Sequence, residues 1–484
     1  HLKQNTIREF FSSITFMTPT FILSIITAYF FVLILISYLS SSSDSNEAFF
    51  LGNKQSPWYV VAFGMIGATL SGVTFISVPG WVGDSQFSYL QMVIGMTAGY
   101  VVIANILLPL YYKLNLTSIY GYLEQRFGSV SYRTGSFFFL LSRTIGASFR
   151  LYLVANVLQL AIFDVWNVPF WLTVSLTILL IWLYTFRSGI KTIIWTDTLQ
   201  TLFMLLAVGV SIWLMSDHMQ LGLGDLVNTI KSSDYSQIFF WEGRQNFLKQ
   251  FFSGMFIAIV MTGLDQDMMQ KNLSCPSLAD SKKNMYWFSV ALILVNIFFL
   301  ALGAMLYIFA EQQGLSIDKG DDLFPIVALQ GGLGLGVGVF FILGLIAAAY
   351  SSADSALTSL TTAFCVDFLN IENKLIKQQI NQRKWVHIAF SILLVFSILI
   401  FKAINDESVI AALFKVAGYT YGPLLGLYAF GLFTKWKVHD KMVPLVAITS
   451  PAICYFLQLY IPFGFELLIV NGAITFAGLY IFKR

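Results

Sequence analysis

The amino-acid sequence predicts an all-α polytopic membrane protein with thirteen transmembrane helices in one domain, residues 1–484. Three observations support this fold class. The composition is 57% hydrophobic and 11% charged, whereas a soluble globular protein carries about 25% charged residues. Apolar runs of helical length recur along the whole chain, and glycine, proline and hydroxyl residues interrupt some of them.

The predicted spans are apolar runs of about 20 residues, the length that crosses a bilayer as an α-helix. The first is an extra N-terminal helix at 19–41, and the last two form a C-terminal pair within 442–482. In chain order the runs lie at 19–41, 58–82, 87–112, 134–163, 168–187, 191–216, 249–271, 285–311, 334–367, 385–403, 408–434, 442–461 and 464–482.

The distribution of basic residues predicts the orientation. An odd number of spans places the two termini on opposite sides of the membrane. With the N-terminus outside, 18 of the 28 Lys and Arg residues lie in inner segments, Lys271 among them, and 7 lie outside. Because inner loops are enriched in Lys and Arg, we expect an N-out/C-in topology, with the acidic loop Asp318–Asp322 facing outside.

Two spans carry helix-breaking residues at membrane depth. The second contains IGATLSGVTFISVPGW (66–81), and the seventh loosens over 253–267. Exposed carbonyls at such breaks are tolerated only against protein or a cavity. Since the two spans lie five apart, we expect 58–216 and 249–434 to be inverted repeats that each open with a broken helix. A further interruption is expected at Gly418–Gly426.

The ninth span changes character at AAAYSSADSALTSL (347–360). Ser351, Ser352, Ser355 and Asp354 place hydroxyl and carboxylate oxygens in an apolar helix, and such oxygens suit a small hard cation such as sodium. Small hydroxyl residues also serve plain helix packing. A carboxylate within the membrane is expensive, however, and marks a functional site more often than a packing surface.

Other intramembrane charges leave alternatives open. Asp197 either joins Asp354 in a second cation site or proton relay, or reaches the membrane interface as a solvated acid. Arg143 and Arg150 lie seven residues apart on one helix face. They either neutralise those acids or, in the case of Arg150, hold an anionic or polyhydroxylated substrate.

Further polar residues have a binding interpretation and a plainer one. Phe87 and Gln91 share a helix face, where they could stack on a ring and bond hydroxyls, or merely pack. Asp265 and Asp267 are expected near the inner membrane surface, as a solvated gate or a packing element. No metalloprotease, hydrolase or nucleotide-binding motif stands in a suitable context, so the protein is not expected to be an enzyme.

These motifs resemble those of the sodium:solute symporter family, which includes sodium/glucose cotransporters, proline permease and bacterial sialic acid transporters, the last being the nearest likeness. The resemblance runs along nearly the whole chain and implies a LeuT-type fold of two inverted five-helix repeats. It rests on FFLGNKQSPWYVVAFGMIGATLSGVTFISVPG, LPLYYKLNLTSIYGYLEQRFG, IWTDTLQ, GLDQDMMQ, AAAYSSADSALTSL and YTYGPLLGL.

The resemblance also implies the ion sites. The core sodium ligands would be the carbonyls of Gly67, Leu70 and Ala348 and the hydroxyls of Ser351 and Ser352. A possible second sodium site would comprise Asp197, Ser351, Asp354 and Ser355. Asp354 stands where some relatives have serine, so the number of coupled ions is left open. Sodium is the expected coupling ion.

For the substrate, the resemblance points to the broken second span and the start of the third. A family arginine aligns with Ala147, about one turn before Arg150. The expected substrate-binding residues are Thr69, Ser71, Thr74, Phe87, Gln91 and Arg150.

Together these features predict a sodium-coupled symporter of the cell inner membrane that imports a small polyhydroxylated solute, such as a sugar, polyol or sialic-acid-like molecule, by alternating access. An amino-acid or other organic-acid symporter, or a cation-independent facilitator, is the alternative. The expected partners are the solute, sodium and the lipid bilayer. No nucleic acid is expected, and no oligomer is required.

Overall fold

A computed structural model describes most of the chain, and the structural statements below refer to those residues. Within them all repeating secondary structure is helical, apart from one isolated bridge between Val438 and Lys483. Lys3, Arg8 and Arg187, which entered the charge count, lie outside the described residues. The described ranges are 18–40, 45–186, 189–404, 409–461 and 463–484.

A helix occupies each predicted apolar run, and we label these helices α1 to α13. Their bounds are α1 Pro19–Ser40, α2 Trp58–Thr69 with Gly72–Ser85, α3 Tyr89–Lys113, α4 Ser129–Leu158, α5 Phe170–Thr185, α6 Ile190–His218, α7 Phe247–Gly263 with Gln266–Leu273, α8 Leu278–Gln312, α9 Leu335–Phe368, α10 Ile376–Ile404, α11 Val409–Phe433, α12 Val443–Gln458 and α13 Leu467–Ile481.

Short helices lie between these segments at Asn46–Leu51, Gly121–Arg126, Leu223–Ser232 and Gly320–Gln330. Within the described ranges, eight helices are long and apolar enough to cross a membrane, or ten if each bent pair is one span. α5 and α13 are shorter, with 16 and 15 residues. The polytopic helical fold is therefore confirmed, while the count of thirteen spans and the orientation stay predictions.

Both predicted breaks in α2 and α7 are present. The two halves of α2 meet at 61° and those of α7 at 65°. In α2 the helix stops because Leu70 and Ser71 adopt non-helical backbone angles, φ −82°, ψ 64° and φ −58°, ψ 171°. In α7 the second half begins at a capping residue, Asp265, whose Oδ1 accepts the Asp267 N–H at 2.9 Å. This cap satisfies a backbone donor that the break exposes.

The predicted interruption at Gly418–Gly426 was wrong, because α11 continues through Pro423 without a break. A proline lacks the N–H that would bond the carbonyl four residues earlier, here that of Tyr419. The Asn471 side chain of α13 supplies a donor instead, at 2.9 Å from the Tyr419 oxygen and 2.9 Å from that of Gly418. A neighbouring helix thus satisfies the carbonyl that the proline leaves free.

The helices pack in a reciprocal pattern. α2 packs along α8, and α7 packs along α3; α6 packs along α9, and α11 along α4. The first helix of each expected repeat therefore packs on the second helix of the other repeat. The fifth helix of each repeat likewise packs on the third helix of the other. Two inverted repeats would produce this equivalence. α1 lies outside the pattern against α5, α6 and α9. The repeat boundaries at 58–216 and 249–434 stay predictions.

Candidate functional site

The break in α2 presents backbone oxygens to α9. Ser352 Oγ lies 3.5 Å from the carbonyl oxygen of Ala68 and 3.5 Å from that of Ala348. Within the described chain, no backbone N–H donates to the carbonyls of Gly67 or Leu70. The structure thus brings a fully buried hydroxyl of α9 to the unwound turn of α2 where the core sodium ligands were predicted.

This oxygen set fits sodium. Its metal-ligand atoms are the oxygens of neutral carbonyls and hydroxyls, which suit a hard monovalent cation. The 3.5 Å contacts of Ser352 are weak hydrogen bonds that an ion would replace. Close packing holds the turn in place: the Gly67 N–H donates to Thr201 Oγ1 at 3.0 Å. A Cβ on Gly67 would lie 2.3 Å from that oxygen, so glycine permits the approach of α2 to α6.

Asp197, in the predicted second site, is held by two partners. Ser351 Oγ donates to its Oδ1 at 2.6 Å, and Lys271 Nζ lies 2.6 Å from its Oδ2. All three residues are buried. Asp197 is therefore not a solvated acid at an interface, and the assignment of Lys271 to an inner loop was wrong. The break in α7 turns the second half of the helix into the protein interior, which the apolar pattern alone did not reveal.

Asp354 lies in the same part of α9 and has a different environment. Tyr184 OH donates to its Oδ2 at 2.9 Å, and the Ser355 N–H donates to its Oδ1 at 2.5 Å. The carboxylate is completely buried, and no described Lys, Arg or His forms an ion pair with it. The cluster of Asp197, Asp354 and Lys271 thus holds two acidic groups and one basic group.

A central cavity opens beside the break in α2. The cavity has a volume of about 90 Å³. Its walls come from α2, α3, α4, α7, α8 and α11. The polar lining residues are Thr69, Ser71, Thr74, Tyr89, Tyr100, Arg143, Arg150, Thr262 and Asn296.

The two arginines of the cavity differ in their partners. Arg143 Nη2 forms a close ion pair with Asp267, and Arg143 Nη1 lies 3.9 Å from Asp265. Tyr421 OH donates to Asp265 as well. Arg143 therefore neutralises acids of the α7 break rather than those of α6 and α9. Asp265 and Asp267 are fully buried, so of their two expected roles the packing element agrees with the structure and the solvated gate does not.

Arg150 lies two helical turns farther along α4 and lines the cavity with 8% of its surface exposed. No ion pair or hydrogen bond joins its side chain to any described residue, and its buried Nε has no acceptor. The Thr69 hydroxyl, also on the cavity wall, is buried and unpartnered. No carboxylate belongs to the described lining. The cavity wall therefore carries a guanidinium group that forms no ion pair with a described residue, and a hydroxyl group without a partner.

Phe87 and Gln91 do not line this cavity. Gln91 Oε1 accepts the Phe240 N–H at 3.2 Å, and its Nε2 donates to the Gln245 carbonyl at 2.9 Å. The Phe87 N–H donates to the Gln237 carbonyl at 3.0 Å. Both residues thus anchor the segment between α6 and α7, and the structure does not bring them together with Thr69, Ser71, Thr74 and Arg150.

The sequence reasoning missed four polar residues of the cavity wall: Tyr89, Tyr100, Thr262 and Asn296. Asn296 had a usable signal, since it is an isolated amide in the apolar run LILVNIFFL and polar groups in such runs are commonly functional. The tyrosines had none, because aromatic residues recur throughout the spans.

Comparison with known proteins places this geometry in a family. Residues 49–439 match the model of the sodium:solute symporter family. The sodium/sialic acid symporter NanT of Aliivibrio fischeri is 24% identical over 82% of this chain and 80% of its own length. SiaT of Proteus mirabilis, another sodium/sialic acid symporter, is 25% identical over 82% of this chain and 81% of its own length.

A solved structure shows the same fold. It is a substrate-bound, outward-open Na+-coupled sialic acid symporter with a TM-score of 0.81 and 21% identity, and the match covers 95% of this chain and 97% of that one. The family match identifies the protein as a multi-pass membrane transporter with sodium as its coupling ion. The family match, the broken helices and the oxygen-lined turn agree, and the chain belongs to the sodium:solute symporter family.

Proposed function

We propose that this sodium-coupled symporter imports a small polyhydroxylated solute that carries an acidic group, as sialic-acid-like molecules do. The observation that carries the proposal is Arg150, a buried cation on the cavity wall that forms no ion pair with a described residue. A buried charge without a direct partner is costly, and a carboxylate on the solute would pair with it. The relatives named as sialic acid symporters support this class.

The cavity assigns different tasks to its residues. Arg150 would bind the carboxylate through two parallel N–H donors. Thr69, Ser71 and Thr74 would bond solute hydroxyls from the unwound turn of α2. Phe87 and Gln91 are assigned no solute contact in this arrangement, because their polar groups serve the segment between α6 and α7.

Sodium would couple to the solute through the break in α2. The carbonyls of Gly67, Leu70 and Ala348 and the hydroxyls of Ser351 and Ser352 would hold the ion. Because two of these carbonyls belong to the turn that carries the solute-binding hydroxyls, sodium would fix that turn for the solute. Broken helices at the repeat interface are where such transporters place their substrates and ions.

We also infer a second sodium position near Asp197, Ser351, Asp354 and Ser355, a division into repeats at 58–216 and 249–434, and an N-out/C-in orientation. The buried acids support the second sodium position, and the reciprocal helix packing supports the division into repeats. The excess of basic residues in the inner segments supports the orientation. Alternating access would then move sodium and solute inward as the two repeats rock.

Ligand-dependent thermal stabilisation tests the proposal. The purified protein is heated with sialic acids, neutral sugars, polyols, amino acids and simple organic acids, each in sodium and in potassium. A sialic acid should raise the unfolding temperature only in sodium, because bound ligand stabilises the folded state. Stabilisation by a neutral sugar alone would contradict the acidic substrate. Stabilisation by every organic acid would favour an organic-acid symporter, and indifference to the cation would favour a facilitator.

A further inference from the structure

We propose that the short helix Asn46–Leu51 is a latch that keeps the inner end of the transporter closed, and that Arg383 of α10 holds it in place. The latch precedes α2 in the chain, so in the expected orientation it lies at the inner end of that helix. The inference rests on the proposed alternating access of a sodium-coupled symporter. It assigns a role to Arg383, which belongs neither to the cavity wall nor to the expected ion sites.

Arg383 is completely buried and contacts the latch in three ways. Its Nη1 donates to Asn46 Oδ1 at 3.0 Å and to the Ser45 carbonyl oxygen at 3.2 Å. Its guanidinium carbon lies 4.6 Å from the centre of the Phe49 ring. Arginine combines a planar set of donors with a face that stacks on aromatic rings. One side chain of α10 therefore binds both the start of the latch and its middle.

Phe49 seats the latch among three helices. The residue is completely buried, and its ring lies edge-on to that of His387 of α10, with the ring centroids 5.8 Å apart. Gly189, which directly precedes α6, makes room for the ring, because a Cβ there would lie 2.6 Å from a ring carbon of Phe49. Gln270 Nε2 of α7 donates to the Phe49 carbonyl oxygen at 3.4 Å. The latch thus contacts α6, α7 and α10 at once.

The latch links α2 to α10. Only the short connection 52–57 separates it from α2. The first half of α2 packs against α6, α8 and α9, whereas α10 packs against α4, α5 and α9. Asn46 makes a second bond to α10, since its Nδ2 donates to Gln379 Oε1 at 2.9 Å. Movement of the inner half of α2 away from α10 would therefore pull on the contacts of Asn46 and Phe49 with Arg383.

Sodium and the latch would favour the same closed inner end. Alternating access requires that end to open once in each cycle. The first half of α2 carries Gly67, whose carbonyl is a predicted ligand of the core sodium ion, so bound sodium would hold this half in place. Loss of sodium would free it, and the latch would leave its position together with α2. The contacts of Arg383 would then set the balance between the closed and the open inner end.

Thiol labelling tests the inference without knowledge of the solute. The variant Ala48→Cys reports on the latch, because Ala48 is completely buried in the docked helix. The purified variant is treated with a hydrophilic thiol reagent in sodium and in potassium, and its labelling should be about tenfold faster in potassium. The wild-type protein, whose cysteines Cys275, Cys365 and Cys454 are all buried, gives the background rate.

Arg383→Gln in the Ala48→Cys background is the decisive variant. Its labelling in sodium should be about tenfold faster or more, the change expected for a lost hydrogen bond to a charged group. The sodium concentration that halves the labelling rate should rise by a similar factor, because sodium and the latch stabilise the same state. A purely structural role would leave this concentration unchanged. Gln379→Ala, which removes one neutral bond to Asn46, should speed labelling about threefold.

Arg126→Gln is the matched control. Arg126 also binds backbone carbonyls, with its Nη2 2.8 Å from the oxygens of Thr434 and Trp436, but it contacts the end of α11 rather than the latch. In the Ala48→Cys background it should leave the labelling rate unchanged. Unfolding temperatures show that each variant is folded. If Arg383→Gln is not folded, Gln379→Ala decides the question, since it keeps the arginine.

The outcomes separate the inference from the proposed function. If Ala48→Cys labels at the same rate in sodium and in potassium, and no faster with Arg383→Gln or Gln379→Ala, the inference is overturned even where sodium drives solute uptake. Faster labelling in potassium and with Arg383→Gln supports the latch. The same labelling result combined with solute uptake that ignores the sodium gradient would support the latch and contradict the proposed coupled function.

Discussion

The α2 break and the cluster of Asp197, Asp354 and Lys271 both contact serine residues of α9, yet they differ in charge. At the break, neutral carbonyls surround the Ser352 hydroxyl at long distances. In the cluster, Asp197 already carries a lysine at 2.6 Å. Neutral ligands on a bent helix would hold an ion weakly enough to release it, whereas the lysine is a fixed part of the chain. We therefore expect the coupling step at the break and a charge-balancing role for the lysine of the cluster.

The largest effect is expected for Ser352→Ala at the break. Removal of this hydroxyl deletes a predicted sodium ligand, so sodium-dependent uptake should fall about 100-fold. Uptake into proteoliposomes under a sodium gradient measures it. Ser359→Ala is the control, because that hydroxyl only bonds its own helix at the Ala356 carbonyl, 3.0 Å away. If Ser352→Ala showed the same sodium-dependent uptake as Ser359→Ala, Ser352 would not be a sodium ligand.

Lys271→Met should have the next largest effect, this time on stability. The substitution leaves Asp197 buried without its cation, which costs about 3–5 kcal/mol for a broken buried pair. Thermal unfolding in potassium measures the loss. The double variant Asp197→Asn, Lys271→Met should recover most of it, because no unpaired charge remains. A single variant as stable as the wild-type protein would show that the pair does not balance the cluster.

Arg150→Gln should weaken binding of an acidic solute by about 2–3 kcal/mol, the scale of a hydrogen bond to a charged group. That loss is about 30- to 150-fold in the binding constant. A neutral analogue of the same solute should lose far less. Arg133→Gln on the exposed face of the same helix serves as the control. Equal losses for the acid and its neutral analogue would exclude charge pairing by Arg150.

The smallest effect is expected at α11, away from both ion positions. Asn471→Leu leaves the carbonyl that Pro423 exposes without a donor and should cost about 1–3 kcal/mol of stability. The apparent sodium affinity should not change. A shift in sodium affinity would show that the C-terminal helices communicate with the ion sites.

The sequence predicted what local residue patterns determine. Apolar length located the thirteen helices, and glycine, proline and hydroxyl residues marked the breaks in α2 and α7. The wrong prediction at α11 has a nonlocal cause, since Asn471, 48 residues after Pro423 in the chain, satisfies the freed carbonyl. A helix-breaking residue ends a helix only where no neighbour replaces the lost bond.

The candidate site shows the same limit. The resemblance selected Ser352 and Asp197, and the structure places both in oxygen-rich, buried positions. The resemblance did not reveal the pairing of Lys271 with Asp197, which lies 74 residues earlier. Nor did it show that Gln91 bonds the segment between α6 and α7, because Gln245 and Phe240 carry no periodic signal. Pairings between distant segments depend on the packed fold rather than on spacing.

Uptake by purified protein in liposomes tests the central claim most directly. An acidic, polyhydroxylated solute of the sialic acid class is supplied outside, with an inward gradient of either sodium or potassium. Accumulation inside above the external concentration in sodium, and none in potassium, is the predicted result. Equilibration to the same level with both cations would contradict sodium-coupled symport of this solute.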